Sequence, residues 1–561
     1  MTYDLKITGG TIVDGTGRPG FAGDVGVKGG RVVALGKAEG AADKTIDARG
    51  RVVAPGFVDV HTHYDAQILW DRMLSISPWH GVTTTVIGNC GFGVAPTRAA
   101  HRKLILQTLE KVEGMSLDAL QAGLGEAWPF ETFPQYLDAV EKRGVAINVA
   151  ALFGHTPLRM YVMGEESTER AATADEIAAM KRLVREAMEA GAIGFGTSVS
   201  VSHNGYAGKP VPSRKATPEE MDALVSVMGD MKRGLMQITI GRDFSTRHMA
   251  EVSRKYGVPV TWTALLSHLY GPGGHRKQLD LAAEQRRSGA IVIPQVSCRP
   301  LNFEFTFAEP FIFDVMKFMN ELAAEDAKAP GTRRRAYADP AWREKLRSGV
   351  TPVFHRWWDR VVIAWAPSAR ELEEMPLAAA AAKLGKDPVD LALDLALDND
   401  LQARFRMAVM NFDEKEVAEL ITDPHTIIAL SDAGAHASQL CDACYSTHLL
   451  GHWVREKKTF TLEQAVHNLT QRPAEMFGIT DRGVLAEGRP ADIVVFDPKT
   501  VGPGPLKRVY DLPAGADRLV SEASGIDAVI VNGRLVRQDN KDVVAANDAL
   551  PGRLLRHGRA A

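Results

Sequence analysis

His61 and His63 flank a single threonine directly after the apolar run Phe57-Val58-Asp59-Val60. In an extended strand, residues i and i+2 project to the same face. The two imidazoles therefore stand side by side at a strand tip, where they can share one metal ion. Further donors recur just beyond other strand-like runs: Cys90, His155, His268 and Asp432. Each has a bland reading on its own. An Asp after an apolar run commonly caps a helix, and a lone Cys is commonly a small buried hydrophobe. Together, nitrogen, sulfur and oxygen donors at successive strand ends suit Zn²⁺, which accepts imidazole, thiolate and carboxylate. The chemistry expected of such a set is hydrolysis by a water acidified at an open metal position, with Asp432 as general base.

Donors this far apart in the chain need a scaffold that gathers strand ends. Strands are expected at 57–60, 83–87, 146–153, 193–197, 235–240, 259–266, 290–296 and 427–430, with helical patterns between most of them, as at 218–231 and 461–469. Eight strands alternating with helices predict a (β/α)8 barrel occupying 56–479, whose catalytic groups gather at the C-terminal strand ends. Residues 1–55 and 480–545 share a different texture of short apolar runs and turns, including a hairpin signal at Asn532-Gly533. They are expected to pair into one small β-sandwich built from both termini. Residues 300–410 break the barrel rhythm and are rich in aromatics (Phe303, Phe305, Phe307, Phe311, Phe313, Trp357, Trp358). The stretch is too long for a plain loop and reads as a mostly helical insertion, either a lid that lines an apolar substrate pocket or a unit with its own core.

Composition narrows the function classes. The chain has 561 residues, 45% of them apolar and 24% charged, with 66 basic and 69 acidic side chains for a net charge of -3. No basic stripe interleaved with aromatics is present, so a nucleic-acid partner is not expected. No apolar run reaches the length of a membrane span, and the first residues lack an apolar signal core. Four cysteines in so long a chain do not make a disulfide framework; a reducing cytoplasm is the expected compartment.

The chain resembles the amidohydrolase superfamily, and most closely its N-acyl-D-amino-acid deacylase family. The resemblance rests on Gly9-Gly10-Thr11-Ile12-Val13-Asp14-Gly15-Thr16-Gly17, on Ala54-Pro55-Gly56-Phe57-Val58-Asp59-Val60-His61-Thr62-His63-Tyr64-Asp65, on Gly88-Asn89-Cys90-Gly91-Phe92-Gly93 and on Gly154-His155-Thr156-Pro157-Leu158-Arg159. Ser267-His268, Ser431-Asp432 and the stretch from Gly483 to Asp492 add to it. The resemblance implies a barrel of the metal-dependent hydrolase type with a β-sandwich, a centre of one or two zinc ions, and hydrolysis of the amide bond of a small N-acyl amino acid or related N-acyl compound. His61 and His63 match the ligands of the first strand, Cys90 the metal-binding thiolate, His268 the ligand of the sixth strand, and Asp432 the acid/base of the eighth.

Two departures from the family pattern bear on the site. The fifth strand of the family ends in a metal-binding histidine, whereas this chain reads Met236-Gln237-Ile238-Thr239-Ile240-Gly241-Arg242. Either one metal is held near His61, His63 and Asp432, or another residue completes a changed site. The family also follows its sixth-strand histidine with a histidine and a lysine, where Leu269 and Tyr270 stand here. Arg242 and Arg299 are candidates to hold a substrate carboxylate in that lysine's place, and His155 and His436 are further candidates for substrate contact. Cys441-Asp442-Ala443-Cys444 has no second pair at zinc-ribbon spacing. A cyclic amide or imide hydrolase would use the same activated water, although its usual carboxylated lysine at the fourth strand is replaced by Thr197-Ser198-Val199-Ser200. A reading of another class is a non-catalytic, ligand-binding member of the fold. A homo-oligomer is compatible with all three.

Overall fold

A computed structural model describes residues 2–241, 244–313, 316–349 and 354–560. The chain divides into two compact units. One comprises Met1–Leu266, Tyr270–Cys298 and Lys415–Ala561; the other comprises Ser267–Leu269 and Arg299–Glu414.

The first unit holds eight parallel strands: β1 (Phe57–Asp59), β2 (Val82–Ile87), β3 (Asn148–Gly154), β4 (Gly194–Ser198), β5 (Leu235–Thr239), β6 (Val260–Thr263), β7 (Val292–Val296) and β8 (Ile427–Ile428). They lie in sequence order across one sheet. Every residue of β2 and β3 is buried, as expected of parallel strands covered on both faces. The sheet closes just past its outer strands, where Thr62 bridges Ala433 and the His63 N–H donates to the Ala433 carbonyl at 2.8 Å. All eight expected strands are present. The eighth is shorter than its apolar run because Leu430 turns into left-handed backbone, at φ 67°, and releases Ser431 and Asp432 from the sheet. The helix expected at 218–231 is Pro218–Met231, entered through Thr217, whose side chain accepts from the Glu220 N–H. The 461–469 pattern is Leu462–Leu469, behind a reciprocal Thr461/Gln464 capping box.

Both chain ends build a nine-stranded sheet in the same unit, with Ile493–Phe496 antiparallel to Val52–Pro55 on one side and to Ile526–Val531 on the other. Leu5, Ile7, Val25, Val27, Ile493, Val495 and Ile530 share its core. The Asn532-Gly533 signal is a tight turn with φ of 47° and 80°, the left-handed pair that a two-residue hairpin loop needs. The apolar residues Leu5, Ile7 and Ile12 belong to one long strand, Tyr3–Ile12. The strand absorbs its glycines by shifting register between Ile7 and Gly10, with Gly9 at φ 71°, as at a β-bulge. Among the described residues, no helix is long and apolar enough to cross a membrane.

The second unit is mostly helical, but it also contains a three-stranded antiparallel sheet that the sequence reading lacked. Arg404–Met410 lies between Leu301–Thr306 and Val361–Trp365. Its aromatics build the unit's own core. Phe305, Phe307, Phe313, Tyr337, Trp357 and Phe405 are buried together with Leu391 and Leu393, and the half-buried Phe303 packs against them. Phe313 lies 5.1 Å from Trp357, and Phe305 lies 5.8 Å from Phe405, between ring centroids. Of the two readings of this aromatic stretch, the self-contained core accounts for Phe305 and Trp357. Phe305→Ala or Trp357→Ala is accordingly expected to destabilise this unit by about 3–5 kcal/mol, the usual cost of such a cavity. Calorimetry of the full chain checks this. A variant that keeps the wild-type midpoint would remove these rings from the core.

Candidate metal centre

At the tip of β1 the pleat carries Asp59, His61 and His63 to one face, and all three are buried. An Asp59 carboxylate oxygen accepts from the His61 backbone N–H at 3.2 Å, and the Ser431 hydroxyl donates to the His61 carbonyl at 2.9 Å. The first and eighth strand ends are thereby fixed to each other. The two imidazoles meet edge to face with centroids 5.3 Å apart. His61 Nδ1 lies 2.7 Å from the Gln295 carboxamide oxygen on β7. His63 Nδ1 lies 3.1 Å from a Glu113 carboxylate oxygen. With the Gln295 and Glu113 oxygens beside the two Nδ1 atoms, both Nε2 atoms face the Asp432 carboxylate, at 3.3 Å and 3.8 Å.

Cys90 completes the group. Its sulfur lies 3.5 Å from His61 Nε2, and ligand atoms of His61, His63 and Cys90 all fall within 4.8 Å of one another. The Gly88-Asn89-Cys90-Gly91 turn explains the motif. Gly88 and Gly91 have φ of 84° and 71°, and a Cβ on either would stand 2.2 Å from the Leu152 carbonyl or 2.5 Å from the Thr197 Cα. Only glycine lets the turn press against β3 and β4. Cys90 itself takes φ 56° and Asp432 φ 44°. Each such non-glycine conformation costs on the order of 1–3 kcal/mol, so both donors are held in place by their surroundings at a cost to stability.

The cluster is electrostatically coupled. Burial would raise the Cys90 thiol, but His61 and His63 outweigh it and bring its pKa from 9.0 to about 6. Burial likewise opposes protonation of His61 and His63, yet Cys90 with Asp432 raises the first and Glu113 with Cys90 raises the second. Burial lifts the Asp59 carboxyl to about 7. Two imidazole nitrogens, a thiolate and a carboxylate oxygen converge in a buried site, the donor chemistry of a divalent metal centre. In the metal-free protein, the Cys90 thiolate absorbance is expected to titrate with a midpoint of about 6 and to vanish in Cys90→Ser. The sign follows from the folded value lying below the ordinary one: the stabilisation is complete above pH 9 and is lost as pH falls through about 6. A midpoint near 9 would mean that the imidazoles do not face the sulfur.

The other sequence-expected residues divide. His155 is buried with both ring nitrogens committed, Nδ1 at 2.8 Å from the Thr197 hydroxyl and Nε2 at 2.8 Å from Glu220, and Glu220 also pairs with Arg159. This buried network ties β3 to the following helices and offers no ring nitrogen to a substrate. His436 is brought beside the centre; its backbone N–H donates to the Glu113 carbonyl, and desolvation holds its imidazole below the ordinary value. His268 and Arg299 belong to the second unit, where the His268 ring lies 4.6 Å from Phe412 and the Arg299 carbonyl accepts from the Asn411 amide. Arg242 lies outside the described residues.

Four contributors escaped the sequence reading. Glu113 and Gln295 hold the histidines. Gln237, in the middle of β5, supports the Cys90 turn: its carboxamide oxygen accepts from the Cys90 N–H at 2.6 Å. His203 follows β4, with Nδ1 at 2.7 Å from the Ser198 hydroxyl and its ring 5.2 Å from Phe92. Burial lowers its pKa to about 4, so it is neutral at pH 7. Gln237 and Gln295 are long polar side chains inside largely apolar barrel strands, which is the one signal that could have found them.

A family model described as "Amidohydrolase family" matches residues 44–285 and 333–537. The chain is 30% identical to a D-aminoacylase of Alcaligenes xylosoxydans xylosoxydans over 546 residues, covering 96% of this chain and 95% of the relative. Among solved structures, an N-acyl-D-glutamate deacylase from Bordetella bronchiseptica, complexed with zinc and a phosphonate mimic of the tetrahedral intermediate, is 29% identical with a TM-score of 0.66, covering 99% of this chain and 100% of that one. A D-aminoacylase structure concerned with a binuclear centre, one-metal activation and second-metal attenuation is 28% identical with a TM-score of 0.66, covering 98% and 99%.

Proposed function

Because this chain belongs to the amidohydrolase family, we propose that it is a zinc-dependent deacylase that hydrolyses the amide bond of a small N-acyl-D-amino acid, releasing a carboxylate and a free amino acid. The observation that carries this reading is the convergence of His61 Nε2, His63 Nε2 and the Cys90 sulfur with the Asp432 carboxylate. The D configuration and zinc are supported by the relatives that share nearly the whole chain.

His61, His63 and Cys90 would hold one divalent ion, which when bound would polarise the scissile carbonyl and make water more acidic. Asp432 does the proton work. Its carboxylate takes the proton from the attacking water and returns it to the amide nitrogen as the carbon–nitrogen bond breaks, so the amine leaves neutral. Gln295 and Glu113 keep the imidazoles turned with Nε2 inward, and Gln237 keeps the Cys90 turn in place. A single ion accords with Gln237 and Ile240 standing in the fifth-strand segment, which supplies no histidine. A cytoplasmic location belongs to the same reading and is supported by the low cysteine content, four in 561 residues.

The test is a panel of N-acetyl-D- and N-acetyl-L-amino acids beside hydantoins and cyclic imides, assayed with zinc-loaded full-length protein. Acetate release confined to D substrates is the expected result. Ring opening without acetate release would replace this reading with the cyclic amide one, and inactivity of fully loaded protein on every substrate would leave a binding protein.

A further inference from the structure

Glu113 is the most anomalous charge beside the centre. It caps the C-terminal end of the helix Arg102–Val112, its N–H donating to the Leu109 carbonyl, and only 4% of the residue is exposed. A carboxylate there is unfavourable twice over. Burial strips it of water, and the negative end of the helix dipole repels it. Its Oε1 stands 3.1 Å from His63 Nδ1, within ion-pair distance, and neither atom makes a hydrogen bond to any other group among the described residues or a well-aligned one to its neighbour. The backbone fixes this placement. The Glu113 carbonyl accepts from the His436 N–H, and Gly114, at φ 58°, lies so close to the His436 ring that a Cβ would stand 2.9 Å from its Nδ1.

We propose that Glu113 is a positioning residue for the metal centre, holding the Nδ1–H of His63 so that Nε2 is the atom presented for coordination. Gln295 does the same for His61 with a neutral oxygen, so the two ligands differ in how strongly their outer nitrogen is polarised. The carboxylate on His63 makes that imidazole the more basic donor. This explains why a charge is retained where an amide would cost less. The proposal rests on the metal reading above.

The test is zinc affinity of the full chain, measured by chelator competition for wild type, Glu113→Gln and Glu113→Ala, together with the thermal midpoint of each metal-free protein. Loss of a residue that orients a histidine ligand typically weakens metal binding by about 10–100-fold. The alanine variant is expected at the upper end. The glutamine variant, which still offers Nδ1–H an acceptor of the same shape, is expected at the lower end. Glu113→Gln is isosteric and keeps the question open to test if the alanine variant does not fold. Wild-type zinc affinity in Glu113→Gln and Glu113→Ala, or a lowered metal-free midpoint with affinity intact, would overturn the proposal and leave Glu113 a structural residue. A fall in the zinc-to-protein ratio, with the remaining ion bound as tightly as before, would make Glu113 a ligand instead. Wild-type protein that binds no zinc would overturn the metal reading itself, which is a separate outcome.

Discussion

Replacing His61 and His63 together by alanine is expected to abolish metal binding and turnover at once, leaving the barrel folded. The double change removes both inward-facing nitrogens and keeps only the Cys90 sulfur of the three grouped donors. It also removes the positive neighbours that hold the Cys90 thiol at about 6, so the remaining donor returns to its protonated form at neutral pH. A protonated thiol is no ligand for a divalent ion. The fold is expected to survive with reduced stability. The Gln295 oxygen and the Glu113 carboxylate lose their partners, and a buried polar group left without one costs about 1–3 kcal/mol. Elemental analysis of protein purified without chelator, alongside circular dichroism, measures both consequences. A folded double variant that carries a full complement of metal would place the centre elsewhere in the chain.

How far the site was legible in the sequence depends on the distance over which each residue announces its role. His61, His63 and Cys90 carry local signals, an i, i+2 spacing at a strand end and a glycine-flanked turn, and the structure groups those three. The position of Asp432 beside the histidines follows from its place after the last apolar run of an eight-strand rhythm, although the left-handed turn at Leu430 that aims it has no sequence signal. Glu113 was invisible. It ends a helix with ordinary amphipathic spacing, and only the folded chain shows its carboxylate buried against a ring fifty residues earlier in sequence. His155 gave the opposite error. Its strand-end position is the same as that of a ligand, but Glu220, which lies 65 residues further on, absorbs it. In the insertion, Phe303, Phe305 and Phe307 alternate at the strand period of two. Reading them as an apolar surface rather than as a pleat concealed both the Leu301–Thr306 strand and the core it faces.

Asp432→Asn is expected to lower turnover by roughly 10²–10⁴, the range for loss of a positioned proton-transfer group, with metal content close to wild type. Asparagine is the informative replacement for a backbone reason. Asp432 sits at φ 44°, a left-handed conformation that asparagine tolerates through its short polar side chain and alanine does not. An alanine variant would mix lost proton transfer with lost geometry. The amide nearly matches the carboxylate in size and retains an oxygen that can face His61 and His63. It cannot accept the proton of the attacking water or return one to the departing amine. Loss of kcat with zinc content and KM largely preserved is therefore the signature expected of a proton shuttle. Zinc content falling in step with kcat would instead mark Asp432 chiefly as a ligand. If Asp432→Asn retains most of the wild-type kcat at full zinc loading, the acid/base role belongs to another group, and the neutral His203 and the partly buried His436, both within electrostatic reach of the centre, are the next to substitute.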